Sequence, residues 1–78
     1  MALIRRVRRG SVPKPRIHGT ETDCEVSTYD LDGTIYVQLT SRGSDTRQNR
    51  GAPSQTMQFD ERTAKQLREL LDTMLATK

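Results

Sequence analysis

Residues 34–40 alternate strictly: Ile35, Val37 and Leu39 share one face, Tyr36 and Gln38 the other. A period of two marks a strand with one buried side. Residues 24–31 carry a weaker alternation, with β-favouring Val26, Thr28 and Tyr29. Between the two segments sits Asp32-Gly33, and both of its positions tolerate positive φ. The pair therefore predicts a hairpin closed by a two-residue turn. That turn sets Leu31 against Thr34, Tyr29 against Tyr36, Thr28 against Val37 and Val26 against Leu39. The faces then agree, with Val26, Thr28, Ile35, Val37 and Leu39 on one and Ser27, Tyr29, Tyr36 and Gln38 on the other. A slip of one residue would mix them. Asp30 against Ile35 is the one discordant pair.

Residues 54–59 predict a third strand, with Met57 and Phe59 inward and Ser54, Thr56 and Gln58 outward. The period then lengthens. Ala64, Leu67, Leu70, Leu71, Met74 and Leu75 recur at steps of three and four, as on an amphipathic helix. Asp60 is a natural N-cap, and Glu61 suits the positive helix end. Arg62, Lys65, Arg68, Glu69 and Asp72 fill the other side, with Glu61–Lys65 and Arg68–Asp72 spaced for i,i+4 pairing. Residues 41–53 are a loop by composition, rich in Gly, Ser, Asp and Asn. The expected fold is α+β: a small antiparallel sheet of three or four strands followed by a C-terminal amphipathic helix packed on one face.

Ahead of this domain, over 23–78, residues 1–22 read as a basic, loosely ordered arm. Gly10, Pro13 and Pro15 interrupt regular structure, and a first strand would have to come from 3–9 or 16–21. Charge is uneven. Residues 1–18 hold Arg5, Arg6, Arg8, Arg9, Lys14 and Arg16 with no acid, while the rest of the chain sets seven bases against ten acids. A basic end on a mildly acidic body suits a polyanion. Hydrophobic residues are 32% and aromatics 4% of the 78 positions. One helix on three short strands then gives a thin core, and a homodimer is expected. The single cysteine, Cys24, excludes an internal disulfide and a multi-cysteine zinc site, and fits a reducing, cytoplasmic setting. No apolar run is long enough for a membrane span.

Catalytic constellations are missing. His18, the sole histidine, lies in the basic segment without partners for metal or general-base work. Cys24 opens a strand on the core face and is expected as a small buried hydrophobe. Asp30 and Asp32 flank a turn, which explains both. No catalytic residue, metal ligand or cofactor is therefore expected. The polar sheet face offers more: Tyr29 beside Tyr36, ringed by Ser27, Gln38, Thr56 and Gln58, next to a loop with Arg42, Arg47 and Arg50. An aromatic platform with a basic rim suits single-stranded nucleic acid. The plain alternative is an ordinary cross-strand tyrosine pair on a solvated sheet.

Tyr29 through Leu39, the basic loop from Arg42 to Arg50, the strand at 54–59 and the helix at 60–75 follow one another in a familiar order. Over residues 24–76 the chain resembles the single-stranded-DNA-binding domain of the transcriptional positive cofactor four family. The resemblance implies a non-catalytic, transcription-related protein that binds single-stranded or melted DNA, with Tyr36, Arg42, Arg47 and Arg50 in the DNA-contacting region. The family's aromatic cluster in that loop has no counterpart, since residues 41–53 contain no aromatic. The combined reading assigns phosphate contact to Arg42, Arg47 and Arg50 and base stacking to Tyr29 and Tyr36. Arg5, Arg6, Arg8, Arg9, Lys14 and Arg16 form a sequence-blind electrostatic arm. The alternative is a protein-interaction or accessory/inhibitor module using the exposed sheet face, which the acidic body favours.

Overall fold

A computed structural model describes residues 1–44 and 55–76. It has four strands and one helix: β1 (Ala2–Ile4), β2 (Thr22–Leu31), β3 (Thr34–Ser44), β4 (Gln55–Asp60) and α1 (Glu61–Ala76). The strands form one sheet in the order β1-β4-β3-β2. The β2–β3 turn has φ of 54° at Asp32 and 85° at Gly33. Positive φ at both positions is the turn whose twist matches that of the strands it joins. It sets the register expected from the sequence, from Leu31↔Thr34 to Val26↔Leu39. Asp30, discordant against Ile35, has a local role: its carboxylate accepts the Gly33 N–H at 2.9 Å.

The structure corrects three expectations. First, β3 runs on to Ser44, so residues 41–44 are strand rather than loop. Ser41 pairs with Cys24 on one side and Gln55 on the other, which gives this stretch ladder partners on both edges. The remainder of the expected loop lies outside the described residues. Second, the sheet is mixed rather than antiparallel, because β1 pairs with β4 in parallel, Ala2↔Met57 to Ile4↔Phe59. The parallel sense brings the chain out at the end where α1 begins. There the Thr63 hydroxyl donates to the Arg5 carbonyl at 3.4 Å, and Val7 lines an open groove together with Gln66 and Leu70. An antiparallel β1 would leave at the opposite end. Residues 5–21 contain no strand or helix.

Third, Cys24 is exposed. The cause is where the helix sits. α1 packs on β3 and β4, and the part of the sheet face nearest β2 stays open. Phe59, in β4 under the helix, is 5% exposed, whereas Val26 in β2 is 67% exposed on the same face. Among the described residues Phe59 is the one buried large hydrophobe. Of the two expected helix pairs, Glu61–Lys65 forms at 3.0 Å; Arg68 and Asp72 instead line the groove between helix and sheet. Among the described residues no helix is long and apolar enough to cross a membrane.

The start of α1 is the tightest joint. Asp60 is the N-cap, its carboxylate accepting the Thr63 N–H at 2.8 Å. Thr63 is 0% exposed, and its hydroxyl lies between Asp60 and the Arg5 carbonyl. The Thr63 N–H holds the Asp60 carboxyl below its ordinary value of 3.8. A lowered folded pKa stabilises fully above the unfolded value, and the gain is lost as pH falls through the folded value. On lowering the pH below 3.8, the wild-type Tm is therefore expected to fall more steeply than that of Asp60→Asn, which keeps an acceptor and does not titrate. Parallel Tm curves for the two proteins would remove the assignment. Thr63→Val keeps the volume and leaves the Arg5 carbonyl without this donor. It is expected to cost about 1 kcal/mol and to speed amide exchange at Leu3 and Ile4. Unchanged exchange there would mean that β1 is held by its ladder alone.

Candidate nucleic-acid interface

Strand alternation sends Ser27 and Tyr29 of β2, Tyr36, Gln38, Thr40 and Arg42 of β3, and Thr56 and Gln58 of β4 to the face opposite α1. The two tyrosines are cross-strand partners. Their ring centroids are 6.0 Å apart with 23° between planes, an offset stack. The Tyr29 hydroxyl donates to Gln38 Oε1 at 3.0 Å and accepts from Gln58 Nε2 at 2.9 Å. Gln38 in turn donates to the Thr40 hydroxyl at 3.2 Å. A ring rooted in β2 whose hydroxyl meets residues of β3 and β4 must lie across the sheet. Tyr29 thus presents a ring face outward and has its hydroxyl fully engaged.

Arg42 stands at the other end of the face. It is six residues from Tyr36, hence about 20 Å along the strand. Its Nε donates to Glu25 Oε1 at 3.0 Å, and its Nη2 reaches the same oxygen. Both side chains are substantially exposed, so the pair stabilises the fold by about 1 kcal/mol at most. A phosphate at Arg42 must compete with Glu25. Arg47 and Arg50 lie outside the described residues.

The basic arm enters from the opposite edge. Arg5, Arg6, Arg8, Arg9, Lys14 and Arg16 are all exposed. Ile4 pairs with Phe59, so Arg5 follows into the row that holds Asp60, Tyr36 and Tyr29. The first arginines of the arm and the tyrosine pair therefore share one end of the sheet, two strand spacings or about 10 Å apart. Arg42 is separate from both. Among the described residues no group of three His, Cys, Asp or Glu is placed to hold a metal ion.

Sequence reasoning missed Glu25 on this face and the contacts made by the Tyr29 hydroxyl. Glu25 was recoverable: extending the register one step pairs it with Thr40 and puts it diagonal to Arg42, within reach of long side chains. The bridging of Gln38 and Gln58 by Tyr29 depends on a tyrosine rotamer, which no pattern encodes.

Tyr29→Phe keeps the ring stack and removes two hydrogen bonds among half-buried groups. It is expected to cost about 1–2 kcal/mol, read as a lower urea midpoint with unchanged slope. Among the described residues the Tyr36 hydroxyl makes no hydrogen bond, so Tyr36→Phe should stay within about 0.5 kcal/mol of wild type. Equal losses in both variants would show that the network contributes nothing particular.

No family model, curated protein or solved structure matches this chain, and the reading of the face rests on its residues.

Proposed function

We propose that the protein binds single-stranded or melted DNA on the sheet face opposite α1. It does so without catalysis, in a transcription-related role and in a reducing, cytoplasmic setting. The observation that supports this most is the shared end of the sheet: the stacked Tyr29–Tyr36 pair lies in one row with Arg5, where the arginine-rich arm begins. Bases stack on aromatic faces whatever their identity, while arginines meet the phosphates between them. The polar floor of Gln38, Gln58 and Thr40 continues from the tyrosines towards Arg42. A strand lying along that floor meets cations at both ends.

The two kinds of contact separate in a salt series with a single-stranded oligonucleotide. Replacing Arg5, Arg6, Arg8 and Arg9 with alanine is expected to lower the slope of log K against log salt by nearly 3, at about 0.7 per lost phosphate contact. Tyr36→Ala should leave the slope unchanged and cost about 1–3 kcal/mol at every salt concentration. Duplex DNA should bind more weakly than the single strand, because its bases are not free to stack. Folded variants that both bind like wild type would overturn the proposal. Loss confined to the arginine variant would reduce the site to the arm.

A further inference from the structure

We propose that the groove on the other side of the sheet is a homodimer interface, filled by α1 of a second copy of this chain. The groove measures about 600 Å3 and runs between α1 and the open half of the sheet. Its floor includes Val26 and Ile35; its wall is the helix stripe of Leu71 and Leu75, interleaved with Arg68 and Asp72. Val26 and Leu75 are 67% and 61% exposed in the single chain. Charged groups rim it in equal numbers of each sign, Glu61 and Asp72 against Lys65 and Arg68, as at the edge of an interface.

Width decides what fits. Four strands at about 4.8 Å span about 19 Å, and one helix covers about 10 Å of that. α1 covers the middle pair, β3 and β4, so the open strip lies over β2 and the adjoining side of β3, and a second helix seated there also leans on α1. The exposed area points the same way. A compact chain of 8.9 kDa exposes about 4,800 Å2 by the usual scaling, and this one exposes 6935 Å2. The extended segment at 5–21 takes part of the excess. The excess of about 2,100 Å2 is divided between that segment and the open face, where Val26, Ile35, Leu71 and Leu75 are all exposed; a standard interface takes roughly 800 Å2 from each partner.

Charge selects the occupant. A nucleic acid would need a positive wall, and a lipid would meet two carboxylates. A twofold interface places the same surface on both sides, so every residue faces its own complement. With the axis crossing the helices at the level of Leu70, the helices run antiparallel, and Arg68 of each copy meets Asp72 of the other. The balanced wall is therefore neutralised by its own copy. The tyrosine face lies on the far side of the sheet and stays open in the dimer.

Light scattering on the full chain at micromolar concentration, without nucleic acid, tests this. The expected mass is twice the 8.9 kDa of one chain. Leu71→Glu and Leu75→Glu alter side chains that are exposed in the single chain, and each should give a monomer with its helix intact by circular dichroism. Arg68→Asp should raise the dimer dissociation constant about tenfold or more by setting like charges together, and adding Asp72→Arg should restore it. The charge pair keeps the test decisive should either leucine variant fail to fold. A wild-type monomer, or a dimer indifferent to all of these substitutions, would overturn the proposal. Neither result bears on nucleic-acid binding at the opposite face.

Discussion

A single α-helix is about half as wide as a four-stranded sheet, and most features of this molecule follow from that mismatch. The helix begins directly at the end of β4, with Asp60 as both the last strand residue and the N-cap. With no linker to carry it towards β2, it stays over the two middle strands. It lies over β3 and β4, buries Phe59 and leaves Val26 in water. At about 25 cal/mol per Å2 of apolar area, a half-covered face forgoes much of the stabilisation available to a two-layer fold. A radius of gyration of 14.7 Å, against about 11.5 Å for a compact chain of this length, reflects this open face together with the extended segment at 5–21.

The opposite face has no covering layer and is held by a different means. Tyr29 spans three strands through its hydroxyl, and the Gln38–Gln58 row closes beneath it. Each polar group engaged there would otherwise need water, so the network lowers the cost of a face that is half-buried by its own side chains. Thr40 and Thr56 are cross-strand partners on this face and both are buried. Rigidity here favours stacking on the tyrosines, because a ring already fixed across the sheet loses little entropy when a base settles on it.

What could be read from the sequence divides along physical lines. The hairpin register was legible because Asp32-Gly33 admits one turn type, and that turn fixes every pair from Leu31 to Val26. The helix was legible because its apolar period and its Asp60 cap are local. β1 was not: three residues carry no period, and its parallel pairing depends on where the chain must go next. Cys24 was misread for a related reason. Alternation correctly put it on the helix side of the sheet, but whether a helix lies above a given strand is a tertiary fact. The tyrosine pair was legible from the register, whereas the ion pair of Arg42 needed a partner 17 residues away.

The arm joins the two halves of the molecule through a small balance of forces. β1 offers three ladder residues and the Thr63 contact, with each hydrogen bond contributing about 0.5–1.5 kcal/mol. Arg5, Arg6, Arg8 and Arg9 follow at once. Two unit charges 7 Å apart in water repel by about 0.6 kcal/mol, so the cluster opposes docking by an amount comparable to one or two of those bonds. Salt, with a Debye length of about 8 Å at physiological strength, reduces this repulsion by roughly half and so favours the docked strand. The same salt weakens a polyanion held by the same arginines. A bound phosphate chain, in contrast, cancels the repulsion directly and favours docking at low salt. On the proposed reading, docking of β1 and capture of a polyanion would favour each other, because both act on one row of charges at the end of the sheet where the tyrosines stand.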